Sequence, residues 1–253
     1  MSNYIHQKPN LRPILFSMLV MFILLNLNIT VSAQQTTKDG TTKSTPEGTA
    51  KLWGIIDGLS IEGLVEGPSN TITPLQIVCV FEYTDGDIFN PPALPAALNG
   101  MVHLDQALNG QITGLRKSRK FAGHSLETLL IVPQKGVIKA QQLLLIGLGD
   151  RSKFTPDLMI SIGNVAFREA ARLGVKSFAI ASDLKDAGID SPTALVSGNM
   201  TKGIIDAQRT QLYLKDKKLS SGSSVVKVTL LAGPSFFMTA GAGIQEAITS
   251  FKN

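Results

Sequence analysis

The chain has 253 residues, of which 43% are hydrophobic and 17% charged, enough to bury one sizeable core, so disorder is excluded as its dominant state. A single cysteine, Cys79, excludes an internal disulfide framework and any zinc site built from several thiolates. The formal charge is +5, but Lys8 and Arg12 fall in a segment expected to be removed, and the remaining 22 basic against 19 acidic residues are too small an excess to point to nucleic acid.

Residues 1–33 have the three parts of a signal peptide: a basic stretch with Lys8 and Arg12, an apolar run from Ile14 to Leu25, and Val31-Ser32-Ala33 with small residues where a signal peptidase needs them. The apolar run of about a dozen residues is shorter than the roughly 20 that cross a bilayer. Cleavage after Ala33 and export to the periplasm or medium are therefore expected, with no stable membrane anchor left behind. Residues 34–50, rich in Thr, Ser, Gly and Lys, read as a flexible leader, and the folded part is expected over 51–253.

From Leu52 to Pro74 the glycines and alternating Ile and Leu positions predict irregular strands or a hairpin. Five short apolar runs then read as strands: Leu75 to Tyr83, Glu127 to Val132, Gln142 to Ile146 running into Gly147-Leu148-Gly149, Lys176 to Ala181, and Val225 to Leu231. Their continuous apolarity predicts a sheet covered on both faces. Between them, Thr155-Pro156-Asp157 predicts a helix start and Gly174 its stop. Ser191-Pro192 opens a second helix reaching about Tyr213, and a third is expected from Met238 to Phe251. Strands alternating with helices in this order predict an α/β layered domain with a mixed or largely parallel sheet.

Few residues point to chemistry. Gly147-Leu148-Gly149 follows a strand, as phosphate-binding turns do, but the third glycine of that fingerprint is replaced by Ser152, and a tight turn is the default. Gly241-Ala242-Gly243 reads first as a helix-packing surface. His103 and His124, the histidines remaining after cleavage, belong to no His-Glu-x-x-His pair. Asp85 and Asp87, and Asp183, Asp186 and Asp190, are explained by turn hydrogen bonding before metal binding or acid–base work. Cys79 lies in a buried strand without a basic neighbour and is expected to be inert. The basic run Arg116 to Lys120 reads as a solvated loop.

A resemblance adds what these residues do not. Leu104 to Ile112 is similar to the "LDxxLxGxI" helix of the leucyl aminopeptidase (peptidase M17) family. Phe121-Ala-Gly-His-Ser-Leu-Glu127 resembles its "F-x-G-x-x-x-E" loop, and Ile138 to Gly149 its "lKAxrvlLvGLG" strand, with Phe154-Thr155 opening the next helix. The markers occur in the family's order, from about Leu75 onward, and match its N-terminal domain.

The resemblance implies a three-layer α/β fold like that of macro domains, with a mixed, largely parallel sheet flanked by helices. In the family the metal ions, the catalytic lysine and the bicarbonate-holding arginine belong to a C-terminal domain marked by motifs such as "NTDAEGR", none of which occurs here. It therefore brings no catalytic, cofactor-binding or metal residue and no cofactor. The expected function is a non-catalytic assembly or binding module that self-associates or docks on a separately encoded M17 catalytic chain, with no nucleic-acid partner. Two alternatives stay open: a subunit of a split metallo-aminopeptidase, and a macro-type nucleotide or ADP-ribose binder.

Overall fold

The computed structural model describes residues 44–252. The expected signal peptide and most of the leader lie outside the described residues. The last leader residues are already part of the domain: Thr45 N–H donates to Pro234 O, Gly48 N–H to Val65 O, and Val65 N–H to Thr49 O. Residues 44–50 are thus pinned by backbone hydrogen bonds, and regular structure starts one residue before Lys51.

β1 (Ala50–Ile56) and β2 (Leu59–Leu64) form an antiparallel hairpin around Asp57-Gly58. Both turn residues have positive φ, 49° and 78°, the geometry that a two-residue loop between right-twisted strands requires and that Asp-Gly supplies at low strain. The remaining strands are β3 (Leu75–Phe81), β4 (Thr128–Ile131), β5 (Gln142–Gly149), β6 (Ser177–Ala181) and β7 (Lys227–Leu231). The helices are α1 (Gly100–Ala107), α2 (Gln111–Lys117), α3 (Leu158–Arg172), α4 (Thr193–Asp216) and α5 (Phe237–Ser250). All five apolar runs are strands and all three expected long helices are present.

The sheet order is β1-β2-β7-β6-β3-β5-β4. β2, β7, β6, β3 and β5 run parallel, and β1 and β4 join antiparallel at the two edges. Every residue of β3 is buried, because Ile77, Cys79 and Phe81 enter the core beneath α3, α4 and α5 while Val78 and Val80 enter the one beneath α1 and α2. The result is the three-layer α/β arrangement that the sequence predicts, and apolarity on both faces of the central strands is its physical basis.

Two local expectations change. The stretch Leu104 to Ile112 is two helices, because Asn109 and Gly110 take positive φ values of 54° and 75° and turn the chain between α1 and α2. Thr155 does not cap α3 with its side chain. Its carbonyl accepts from Leu158 N–H, and Asn199 of α4 reaches across to Pro156 O at 3.0 Å. Gly174 ends α3 with φ of 69°, donating to Ala171 O while Val175 donates to Ala170 O, as expected of a left-handed stop. Among the described residues no helix is long and apolar enough to cross a membrane.

Candidate functional site

Three parallel strands, β2, β7 and β6, end at the same edge, and their outgoing loops surround a cleft of about 610 Å³. Such an edge is where open α/β sheets leave room for ligands, since the chain must depart there toward helices on either face. The loops are residues 65–70 after β2, 182–191 after β6 and 232–236 after β7, and the first turn of α1 adds Gly100 and His103. Val65, Ile180, Val196, Met200, Leu230 and Ile244 supply apolar wall. The charged lining is Glu47, Glu66, Asp183, Asp186 and Lys185, with His103 exposed nearby.

Asp183 and Asp186 are held by backbone amides from two other segments. Asp183, at φ of 55°, turns the chain after β6 so that its Oδ2 accepts from Cys79 N–H of β3 at 3.0 Å. Asp186 Oδ2 accepts from Met101 N–H at the start of α1 at 3.0 Å, where a negative charge also meets the positive end of the helix dipole. Asn99 completes the junction: its Oδ1 accepts from Val102 N–H, and its Nδ2 donates to Ile88 O and to Asp186 O at 3.1 and 2.9 Å. Burial pushes the Asp183 carboxyl well above the usual carboxylate range, and the neighbouring Asp186 charge pushes it further. Burial likewise raises Asp186, to about 6, against the amide hydrogen bonds and His103, which favour the charged form.

The other sequence candidates take structural positions. Asp190 pairs with Lys185 at 3.2 Å and Asp85 is exposed. Asp87, 4% exposed, is ion-paired with Arg116 and lies 3.2 Å from Arg151. Arg116 is 2% exposed and also donates to Phe81 O, so the start of the basic run is a buried tie and not solvated loop. It belongs to the last turn of α2, where its guanidinium folds back beneath the loop that follows β3.

His124 sits 2.8 Å from Glu82 on the surface. Cys79 is buried, and burial together with the Asp183 charge pushes its thiol up, so it is a poor nucleophile. Gly147 and Gly149 lie inside β5 against the backbone of residues 123–125, where a Cβ on Gly147 would overlap His124 O. The chain itself fills the space a phosphate would need there. Gly241 abuts the Trp53 ring and Gly243 the Ala194 carbonyl, as a packing surface requires. Among the described residues, no three His, Cys, Asp or Glu side chains converge as a metal site.

One resemblance marker acquires a mechanism. Glu127 accepts from Ala122, Gly123 and His124 N–H at 3.3, 2.9 and 3.0 Å, closing the loop that leads into β4. Its carboxylate therefore does in this loop what a helix cap does for free amides.

The fold and cleft define a three-layer α/β domain of macro-domain type. Its solved neighbours include an Oceanobacillus iheyensis macrodomain, with a TM-score of 0.52 and 10% identity over 82% of this chain and 97% of that one. A tomato leucine aminopeptidase variant matches with a TM-score of 0.52 and 18% identity over 81% of this chain and 37% of that one. Residues 77–202 match the N-terminal domain of the cytosol aminopeptidase family. Over those residues the chain carries the N-terminal domain of that family.

Probable cytosol aminopeptidases of Sulfurihydrogenibium sp. and Roseiflexus castenholzii are 33% identical over 82 residues and 29% identical over 143. Those matches cover 32% and 56% of this chain. The chain spans only 16% and 28% of the length of these relatives.

Proposed function

We propose that the chain is an exported, non-catalytic binding module of the cytosol aminopeptidase family, acting by holding a ligand or a partner chain. The observation that carries this reading is the cleft: an open cavity with apolar walls and converging polar groups at the ligand-bearing edge of a parallel sheet. Hydrolysis of a peptide bond in this family's manner needs a metal-activated water beside a group that stabilises the developing charge, and the described residues hold no such donor set. The partner fitting this reading is a second copy or a separately encoded catalytic chain of the family, and export rests on residues 1–33.

Three measurements test it. Purified protein is expected to leave leucine p-nitroanilide intact with manganese or zinc added. Size-exclusion chromatography with light scattering is expected to find self-association, or a stable complex once a catalytic chain of the family is supplied. Localisation of the tagged chain is expected outside the cytoplasm. Robust turnover overturns the proposal, and a strict monomer that binds no catalytic chain removes its partner-chain form.

A further inference from the structure

We infer that the end of the molecule opposite the cleft is a docking surface for an anionic phospholipid bilayer, gripped by lysines and by the apolar side chains set among them. The surface comprises the last turns of α4, the loop 217–226 that follows, and the starts of β6 and β7. Leu219 is 71% exposed and Tyr213 60%, and Leu212 and Val226 are exposed at the same end. The loop folds back on the helix: Leu219 N–H donates to Leu214 O at 2.8 Å, Lys218 takes a positive φ of 58°, and a Cβ on Gly222 would meet the Lys215 stem at 2.9 Å. Val226 N–H donates to Lys176 O at 2.9 Å, which sets the start of β7 beside the start of β6. The apolar tips are therefore held out by folded backbone.

Charge identifies the occupant. Lys176, Lys215, Lys217, Lys218 and Lys227 are all exposed at this end. Asp216 pairs with Lys217 at 3.0 Å, Glu62 with Lys227 at 3.4 Å, and Asp57 of the adjoining hairpin with Arg209 at 2.7 Å. Lys176, Lys215 and Lys218 are in none of the ion pairs among the described residues, so the end carries an excess of positive charge. α4 starts on the cleft at Thr193 and runs for 24 residues, about 36 Å. The cleft end carries Glu47, Glu66, Asp183 and Asp186 against Lys185, so the two ends are oppositely charged, and a negative surface turns the lysines toward itself and the cleft away. Leucine and tyrosine ringed by lysine suit a headgroup boundary, where apolar tips enter the lipid and lysine stems lie along them. A nucleic acid offers phosphate to the lysines but nothing for Leu212, Leu219 and Val226 to enter. The inference does not depend on what the cleft holds.

The test is co-sedimentation with vesicles made of an equal mixture of phosphatidylglycerol and phosphatidylcholine, and with vesicles of phosphatidylcholine alone. The chain used begins at Gln34, because the apolar run Ile14 to Leu25 would itself enter lipid, and it keeps both hydrophobic cores. At low salt the anionic vesicles are expected to bind about thirtyfold more strongly than the neutral ones. At about 1 M salt, where charges are screened within about 3 Å, that preference is expected to vanish. In Lys176→Gln/Lys215→Gln/Lys218→Gln it is expected to fall to about threefold or less. Leu219→Ser is expected to weaken anionic binding by about tenfold with an unchanged urea midpoint. Phe89→Ser, which alters a side chain 50% exposed in the loop after β3 at the cleft end, is expected to leave binding as it was. Cys79 is buried, so an environment-sensitive fluorophore can be placed on Leu219→Cys or Phe89→Cys alone, and only the first is expected to shift to the blue with anionic vesicles.

Equal binding to neutral and anionic vesicles overturns the inference, and so does binding to neither. Equal losses in Leu219→Ser and Phe89→Ser overturn it too, since the contact would then not lie at this end. Capture of single-stranded DNA or heparin through the same lysines, without vesicle binding, gives the surface to another polyanion and overturns it as well. The binding-module reading is judged separately, by turnover and by self-association or capture of a catalytic chain.

Discussion

Asp87 is enclosed between Arg116 and Arg151, and its pairing with Arg116 joins the loop after β3 to α2 across the second core. Arg116→Met keeps much of the apolar stem but strips the buried carboxylate of its nearest cation, and is expected to lower unfolding free energy by roughly 3–5 kcal/mol in urea titrations. Asp186 goes the other way. Its folded pKa of about 6 against 3.8 means that the native state holds the proton more tightly than the unfolded chain. Its contribution is therefore full below about pH 4 and lost as the pH rises through about 6.

Asp186→Asn keeps an oxygen for the Met101 amide and removes the buried charge. The variant is expected to be more stable than the parent at neutral pH by roughly 1–3 kcal/mol, with the advantage growing between pH 4 and 6 in parallel denaturation curves and absent at lower pH. A flat difference across that range would remove the charge-based account. At neutral pH Asp186 thus does not stabilise the fold through its charge. In the sequence it was legible only as a turn former, since Asp serves turns and sites alike, and only the three-dimensional meeting of the loops after β2, β6 and β7 separates the two uses.

At the scale of elements, α3 and α4 cross so closely that the glycines at the contact have no room for a methyl group. A Cβ on Gly163 would overlap Met200 O, and one on Gly203 would overlap Ile160 O. Gly203→Ala is expected to force the helices apart and cost about 1–3 kcal/mol through overpacking. Gly114→Ala, on α2 with nothing within 4 Å of the added carbon, is expected to stabilise by about 0.5–1 kcal/mol. Thermal melts of the two variants, opposite in sign, check the pair.

The five apolar runs were legible as strands because the sheet is covered on both sides, a condition that writes itself as uninterrupted Leu, Ile and Val. The β1–β2 hairpin was less so, although Asp57-Gly58 is a strong two-residue turn signal. The break between α1 and α2 was hidden inside a pattern with helical spacing, where Asn109-Gly110 is the one local sign. Arg116 was misplaced for a different reason: a run of basic residues does not reveal which member turns inward, and the Asp87 that receives it is remote in sequence.

At the scale of the whole molecule, composition places the folded boundary at about residue 51, because Thr, Ser and Gly without periodicity look the same whether loose or docked. The hydrogen bonds place it earlier. Thr45 ties the incoming chain to the loop after β7, Gly48 and Thr49 extend the β-hairpin to Val65, and Ser44 and Glu47 wall the cleft. A chain beginning at Ala50 loses these three bonds and exposes the ends of β2 and β7. At about 1 kcal/mol for each bond, the truncation is expected to lower stability by roughly 2–3 kcal/mol relative to a chain beginning at Gln34, measured by urea titration of both. Equal midpoints would return residues 44–49 to the leader.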